Sequence, residues 1–240
     1  MNKRKYINKN KRSTNDKMPS KEQIKITPLF PTPLVEINIG RDFTKDELQL
    51  LLFDVPMRKD EERKDEERKE GIYNHQSKDY YLFDSHVDTL GEIKKFCEHH
   101  IKQYVEHVEG VDTDLAGMRI TQSWLNKTKS GEFHHVHSHP NSYLSGVLYI
   151  KCLPNDHINF NNRMHRMFNN MEFPKKKVTV WNAATYRQNV KEGDLILFPS
   201  GVSHYVDLNE TKNRERISLS FNTFPIGELG DYDDLTHLKL

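Results

Sequence analysis

Cysteine is scarce in this sequence, and long apolar runs are missing. Cys97 and Cys152 are the only cysteines, too few for a disulfide framework. The chain does not open with the basic, apolar and small residues of a secretory signal, and no apolar run approaches the roughly 18 to 20 residues that a membrane-spanning helix needs. We therefore expect a cytoplasmic protein of a reducing compartment, without a membrane partner.

Apolar residues are also few, and positive and negative charges nearly balance. They make up 35% of the 240 residues, against roughly 45 to 50% in an ordinary globular domain. Charged residues reach 30%, which predicts solvated segments, and the net charge of +1 argues against a nucleic-acid partner. What the chain does have in unusual number is histidine, with 13 residues.

The polarity is concentrated at the ends and in one repeat. Residues 1–25 are rich in Lys, Asn and Ser and predict a disordered basic arm, while residues 226–240 predict an acidic tail. Between them, residues 26–225 predict one domain, with a strand and supporting helices over 26–110 and a β-rich core over 111–225. The tandem KDEER repeat within Lys59–Glu70 predicts an exposed helix or a charged linker.

The first half of this domain has helical patterns. Thr44 followed three residues later by Glu47 is a capping-box spacing and predicts a short helix. Apolar residues recur every three or four positions from Ser85 to Gly110, which predicts a long helix packed on a sheet. Cys97 lies on that apolar stripe and is interpreted as a core thiol.

After Gly110 the pattern changes to short β-type runs separated by loops. The chain is therefore α+β, and the strands predict a barrel or a sandwich. The predicted strands are MRITQSWLN (118–126), YLSGVLYIK (143–151), HINF (157–160), VTVWN (178–182), DLILFPS (194–200) and RISLSFNTF (216–224).

The stretch HHVHSHPNSYLSGVLYI, residues 134–150, has four imidazoles in its first six residues. In an extended chain His135, His137 and His139 share one face, whereas His134 and Ser138 point away. Buried imidazoles need polar partners, which a divalent metal supplies. The same histidines in an exposed loop would cost nothing, so this stretch alone leaves both interpretations open.

Two later segments favour the metal. In EGDLILFPSGVSHYV, residues 192–206, His204 follows a buried strand and a turn, where a distant metal ligand is expected. In RERISLSFN, Arg216 and Ser218 share one face of a strand. A guanidinium beside a hydroxyl suits a carboxylate, which arginine can grip bidentately.

These motifs resemble the iron(II)- and 2-oxoglutarate-dependent oxygenases, in particular a family found in marine bacteria and their phages. The resemblance covers residues 26–222. It rests on LFPTPL (29–34), NHQSKDYYLFD (74–84), HSHPNSYLSGVLYI (137–150), LFPSGVSHYV (197–206) and RISLSFN (216–222).

The resemblance implies a double-stranded β-helix (a jelly-roll barrel) that binds Fe(II) and the cosubstrate 2-oxoglutarate. The implied iron ligands are His137, His139 and His204. Arg216 and Ser218 would hold the distal carboxylate of 2-oxoglutarate, and Tyr149 is a further candidate for a cosubstrate hydrogen bond. The implied reaction is hydroxylation of a substrate that the sequence does not identify, with release of succinate and CO2. In a phage-encoded protein this would take place in the host cytoplasm.

The sequence departs from the superfamily in its second ligand, which is usually Asp or Glu. Every residue from His134 to Tyr149 is non-acidic, so His139 would replace the carboxylate. The pair His135 and His137 has the same spacing and remains an alternative. The missing carboxylate also supports a second hypothesis, a catalytically inactive metal-binding barrel that serves as a phage accessory or assembly protein.

Other chemistry-bearing residues are interpreted structurally. His86 and Asp88 form a His-x-Asp pattern, but they lie at the start of the predicted long helix, where Ser85 or Asp88 would act as a cap. Trp124 and Trp181 are interpreted as barrel packing rather than as a substrate platform. The Met- and His-rich stretch 161–170 is predicted to be a surface loop.

Overall fold

The computed structural model of the protein describes residues 25–28, 30–58, 74–162 and 174–240. The predicted basic arm, apart from its last residue, and the KDEER repeat lie outside these residues, as does most of the 161–170 loop. The chain divides into two compact units, Met1–Pro31 and Thr32–Leu240. All helices and strands given below lie in the second unit.

The helical segments lie in the first half of the chain, and most strands lie in the second half. The helical segments are α1 (Lys45–Gln49), a π-helical turn (Leu50–Asp54), α2 (Leu82–Ser85) and α3 (Val87–His107). The strands are β1 (Val35–Asn38), β2 (His75–Gln76), β3 (Ala116–Thr128), β4 (His134–His137), β5 (Leu144–Lys151), β6 (His157–Asn161), β7 (Thr185–Asn189), β8 (Asp194–Pro199), β9 (His204–Val206), β10 (Arg216–Leu229) and β11 (Leu238–Lys239).

The strands form two antiparallel sheets. The major sheet has the order β1-β8-β5-β10-β3-β2, with β11 added to β10, and the minor sheet has the order β4-β9-β6-β7. From β3 to β10 the chain alternates between the two sheets except at the β6–β7 hairpin, so these strands wind as a double-stranded β-helix, which confirms the predicted fold class. No helix among the described residues is long and apolar enough to cross a membrane.

The major sheet is covered by helices on one face and by the minor sheet on the other. Leu90, Ile93 and Cys97 of α3 pack with Leu125 and Leu219 in the larger apolar cluster. A smaller cluster lies between the sheets and joins Tyr149, Ile196 and Phe198 of the major sheet to Ile158 and Phe160 of the minor sheet. The interpretation of Cys97 as a core thiol is confirmed, because it is fully buried and burial raises its pKa.

Alternate side chains of β10 point to the two opposite faces of the major sheet. Ile217, Leu219 and Phe221 belong to the helix-side core, whereas Arg216 and Ser218 line a pocket between the sheets. Successive side chains of a strand point to opposite faces, so this segment places a polar row in the barrel interior. Gly146 of β5 packs against the Phe221 ring, where an added Cβ would lie 2.0 Å from a ring carbon.

One predicted strand is wrong. The VTVWN run forms a turn around Thr179 and Asn182, and the strand lies a few residues later, at β7. The Asn182 side chain accepts a hydrogen bond from the Thr179 backbone (2.8 Å) and so stabilises the turn. Local asparagine chemistry thus outweighs β-branched propensity. The true strand, TYRQN, is polar and largely exposed on a sheet edge, so it lacks the apolar signal of a strand.

The helix predictions hold except for one cap. Thr44 and Glu47 form the predicted capping box at the start of α1. The long helix is α3, but it begins after His86, which makes no side-chain capping bond, and Ser85 instead ends α2. The predicted capping role of Ser85 or Asp88 is therefore wrong, although Asp88 does lie in the first turn of α3, where a negative charge is favourable.

The last strand continues past the predicted domain limit at residue 225. β10 runs to Leu229 and pairs with β3 as far as Gly227. β11 then pairs back onto Glu228 and Leu229. The limits 26–225 and 226–240 otherwise stay a prediction.

Candidate metal centre

Three histidines, from β4, from the segment that follows β4 and from β9, lie close together. The metal-ligating nitrogen atoms of His137, His139 and His204 lie within 4.8 Å of one another. The antiparallel pairing of β4 with β9 sets His137 opposite His204. His139 follows two residues after His137, and its backbone N–H donates to the Ser200 carbonyl (3.0 Å) just before β9.

A β-bulge determines which of the clustered histidines face the pocket. Between His134 and His137 the pairing with β9 shifts its register, so strict alternation fails there. His134 stacks on His137, with ring centroids 4.2 Å apart, and lines the pocket. The prediction that His134 points away is therefore wrong. His135 is exposed, and this geometry favours His139 over His135 as the partner of His137.

Each imidazole of the cluster is held through its Nδ1 atom. His137 Nδ1 lies 2.8 Å from the His135 carbonyl oxygen, and His204 Nδ1 lies 3.0 Å from that of Val202. His139 Nδ1 lies 2.6 Å from Oδ1 of Asn222. Because these oxygens only accept hydrogen bonds, Nδ1 carries the proton and the lone pair is on Nε2. Such outer contacts orient metal-binding histidines.

Burial keeps these imidazoles neutral. It lowers the pKa of His137 to about 4 and that of His204 to about 3, from an ordinary 6.5. Burial likewise lowers the pKa of His139, and together with the neighbouring imidazoles it holds the pKa of His134 well below its usual range. Neutral imidazoles are the form that binds a metal.

The donor set fits a divalent transition metal. His139 Nε2 is buried and has no hydrogen-bond partner among the described residues, an arrangement that costs free energy unless a ligand occupies the site. Imidazole nitrogen suits Zn, Cu, Fe and Ni. A centre of three neutral ligands is suited to iron and leaves coordination positions open for an oxoacid.

The metal-free protein is expected to lose stability as the pH falls from about 6.5 towards 4. Over this range histidines of the unfolded chain take up protons, whereas the buried cluster, with folded pKa values of about 4 and 3 at His137 and His204, does not. Stability rises with pH wherever the unfolded state binds more protons, so the sign is a loss on acidification. Thermal unfolding of the chelator-treated protein between pH 7.5 and 4 measures it.

The control for this pH dependence is His204→Asn, which removes one buried titrating ring. The variant should show a shallower fall of the melting temperature between pH 6.5 and 5 than the unchanged protein. Equal slopes would show that other groups cause the acid sensitivity.

The pocket continues from the histidines to Arg216. Its empty space, including the mouth, is about 450 Å3. The side chains that line it include His137, His139, His204, Trp124, Tyr149, Arg216 and Ser218. The structure therefore brings the predicted metal ligands and the predicted cosubstrate residues to one cavity.

Arg216 does not have the free bidentate edge that the sequence suggested. Its Nε donates to Asp156 Oδ2 (2.9 Å), and its Nη2 donates to Asp156 Oδ1 and to the His157 carbonyl. Both side chains are almost fully buried. Nη1 is left, and it is buried without a hydrogen-bond partner among the residues that the structure describes. The bidentate grip is thus made on Asp156, and a single nitrogen remains for a ligand.

Asp156 is itself fully engaged. Besides the guanidinium, its carboxylate accepts backbone N–H groups from Leu153 (3.1 Å) and His157 (3.0 Å). A buried ion pair needs such additional hydrogen bonds to offset its desolvation. Asp156 therefore fixes the direction of the Arg216 side chain.

Tyr149 lies directly against this pair. The Arg216 guanidinium carbon is 5.4 Å from the centroid of the Tyr149 ring. Burial raises the pKa of Tyr149, so its hydroxyl stays protonated and able to donate. Ser218, which pairs with Tyr149 across β10 and β5, adds a hydroxyl to the same wall.

Asn222 and Asp156 were not predicted from the sequence, and Trp124, which lines the pocket, was interpreted as packing. Asn222 and Asp156 contact their histidine and arginine partners across 83 and 60 residues, and no local pattern signals such contacts. Asn222 does continue the i, i+2 row of Arg216, Ser218 and Ser220, which was the available signal. His86 and Asp88, set aside in the sequence, take no part in the cluster.

Comparisons with known proteins give one family match and several similar folds. Residues 122–222 match the family model described as "Putative 2OG-Fe(II) oxygenase". No curated protein matches the sequence.

Among solved structures, the chain is similar to two enzymes of nogalamycin biosynthesis. The non-heme alpha ketoglutarate dependent epimerase SnoN aligns with a TM-score of 0.55 and 11% identity, over 82% of this chain and 81% of that one. The carbocyclase SnoK aligns with a TM-score of 0.52 and 11% identity, over 84% of each chain.

A third solved structure is an oxidoreductase of the 2OG-Fe(II) oxygenase family from Burkholderia pseudomallei. It aligns with a TM-score of 0.41 and 12% identity, over 64% of this chain and 61% of its own length. The likeness to SnoN and SnoK shows the fold. Together with the matched residues 122–222, it confirms the resemblance of this chain to the 2OG-Fe(II) oxygenases.

Proposed function

We propose that this protein is an iron(II)- and 2-oxoglutarate-dependent dioxygenase that hydroxylates a substrate with release of succinate and CO2. The observation that carries the proposal is the set of polar side chains that line one pocket. Neutral imidazoles with available Nε2 atoms lie at one end, and at the other lies a buried guanidinium nitrogen that has no hydrogen-bond partner within the described part of the chain. A metal and a carboxylate satisfy these two ends together.

In this proposal His137, His139 and His204 bind the iron. When bound, the iron supplies the oxidative decarboxylation of 2-oxoglutarate and the oxidation of the substrate. The backbone carbonyls of His135 and Val202 and the Asn222 amide keep the protons on Nδ1, so that each Nε2 remains a ligand atom.

The protein's remaining part is to bind and orient the cosubstrate. Arg216 Nη1 donates to the distal carboxylate, and the Ser218 and Tyr149 hydroxyls are placed on the same wall to donate to it. Ile158 and Val147 also line the pocket and add apolar surface to it. The wall thus combines directional donors with an apolar surface, as ligand pockets generally do.

The test is anaerobic addition of Fe(II) and then 2-oxoglutarate. We expect a weak visible charge-transfer band that requires both, and succinate once oxygen is admitted. Mn(II) in place of Fe(II) is the control, since it should give neither. A folded protein that gives no band would contradict the proposal.

A second candidate function is supported by the ligand set itself. Three neutral ligands leave iron one charge more positive than two histidines and a carboxylate would. A barrel that binds metal and 2-oxoglutarate but does not turn over, serving as an accessory or assembly protein, agrees with that feature. The band without succinate would indicate this second function.

A further inference from the structure

Few buried side-chain atoms lack a hydrogen-bond partner in the part of the chain that the structure describes. They are Tyr104 Oη, Trp124 Nε1, His139 Nε2, Ser203 Oγ and Arg216 Nη1. The nitrogens in this set all belong to residues that line the same pocket. The proposed function assigns a metal to His139 and a carboxylate to Arg216, and leaves the Trp124 indole unexplained.

Trp124 lies at the metal end of the pocket. Its ring packs against His139, with centroids 5.7 Å apart and planes at 30°, and the residue is 9% exposed. On the sheet Trp124 pairs with Ser220 of β10. Along β10, Ser220 is four residues from Arg216 and two residues from Asn222, which contacts His139. At about 3.4 Å per residue these separations are about 14 Å and 7 Å along the strand.

Neighbouring polar groups on the wall are bonded to one another and not to the indole. Asn74 Nδ2 donates to Asn126 Oδ1 (3.0 Å), and Asn126 Nδ2 donates to Ser220 Oγ (2.9 Å). An indole N–H can only donate, and a buried donor without an acceptor is costly. The interpretation of Trp124 as barrel packing accounts for its ring but not for its N–H.

We propose that the Trp124 indole N–H donates a hydrogen bond to the carboxylate of the bound 2-oxoacid that adjoins its oxo group, at the metal end of the pocket. The inference rests on the proposed function. It divides the recognition of the dicarboxylate between two donors, with Arg216 at the distal carboxylate and Trp124 at the proximal one. Trp124 is then a cosubstrate-binding residue.

The first test is Trp124→Phe, which keeps an aromatic ring at this position and removes the N–H together with part of the ring system. We expect unchanged Ni(II) affinity without oxoacid, and a tenfold to hundredfold weaker binding of 2-oxoglutarate to the Ni(II)-loaded protein by calorimetry, roughly the contribution of a hydrogen bond to a charged group. Trp181→Phe, at a residue 54% exposed, is the matched control and should bind as the unchanged protein does.

A second ligand identifies which carboxylate is contacted. The monocarboxylate 2-oxobutyrate keeps the carboxylate beside the oxo group and lacks the distal one. Trp124→Phe should weaken 2-oxobutyrate and 2-oxoglutarate by the same factor. A loss seen with 2-oxoglutarate alone would place the indole at the distal carboxylate and overturn the proposal.

An NMR experiment on the unsubstituted chain avoids any effect on folding. With 15N-labelled tryptophan the 2 tryptophans give two indole N–H signals, which the Phe variants assign. In the Zn(II)-loaded protein, 2-oxoglutarate should move the Trp124 signal downfield and leave that of Trp181 in place. If calorimetry shows binding and the Trp124 signal stays, the inference fails, whereas an unchanged protein that binds no 2-oxoglutarate contradicts the proposed function.

Discussion

His139→Ala is expected to weaken metal binding by more than about a hundredfold, whereas His135→Ala should leave it unchanged. The reason is geometric. His139 contributes to the cluster with His137 and His204 a buried Nε2 that no described residue hydrogen-bonds, while His135 is exposed. Anaerobic Co(II) titration, followed by its visible absorption, measures the difference.

A third variant serves as the control for correct folding. His139→Asp places at this position the carboxylate that the oxygenase superfamily usually has, and the Asn222 amide can rotate to donate to it. This variant should retain Co(II) binding if His139 is a ligand. Loss of binding in His135→Ala with retention in His139→Ala would contradict the assignment.

The second large effect is expected from the buried pair of Arg216 and Asp156. Arg216→Gln should lower the melting temperature strongly, because it leaves the buried Asp156 carboxylate without its cation, a loss of about 3 to 5 kcal/mol. Arg216→Gln combined with Asp156→Asn should recover most of that stability. Neither protein should bind 2-oxoglutarate well, with affinity lowered by about a hundredfold, as for a lost charged partner.

The double variant separates the two roles of Arg216. Thermal unfolding reports the ion pair, and calorimetry on the Ni(II)-loaded protein reports the cosubstrate. Ni(II) affinity in the absence of 2-oxoglutarate should not change, since the pair lies at the other end of the pocket. A double variant that is stable and binds 2-oxoglutarate normally would show that Arg216 is only structural.

Local patterns in the sequence predict much of this fold. The 3.6-residue periodicity around Leu90, Ile93 and Cys97 predicts α3, and the capping box at Thr44 predicts α1. Both succeed because the signal and its cause lie within a few residues. The predicted strand at Val178–Asn182 fails because the Asn182 turn competes with β-propensity there.

The site could be predicted only in part. His137, His139 and His204 follow from the resemblance to a family, and the structure brings their nitrogens together. The β-bulge that turns His134 inward arises from the pairing of β4 with β9. The alternation of residues along β4 alone carries no information about that pairing. Arg216 contacts Asp156 and His139 contacts Asn222, and in each pair the partners come from distant segments of the chain. Asp156 leaves Arg216 one nitrogen for a ligand, and Asn222 sets the protonated nitrogen of His139.

The most direct test of this account is an anaerobic crystal structure with Mn(II) and 2-oxoglutarate bound. We expect one metal ion coordinated by Nε2 of His137, His139 and His204, with 2-oxoglutarate extending from it to Nη1 of Arg216. We also expect that Asp156 keeps its hold on the other edge of the guanidinium. A metal coordinated by His135, or a 2-oxoglutarate molecule bound away from Arg216, would contradict the account.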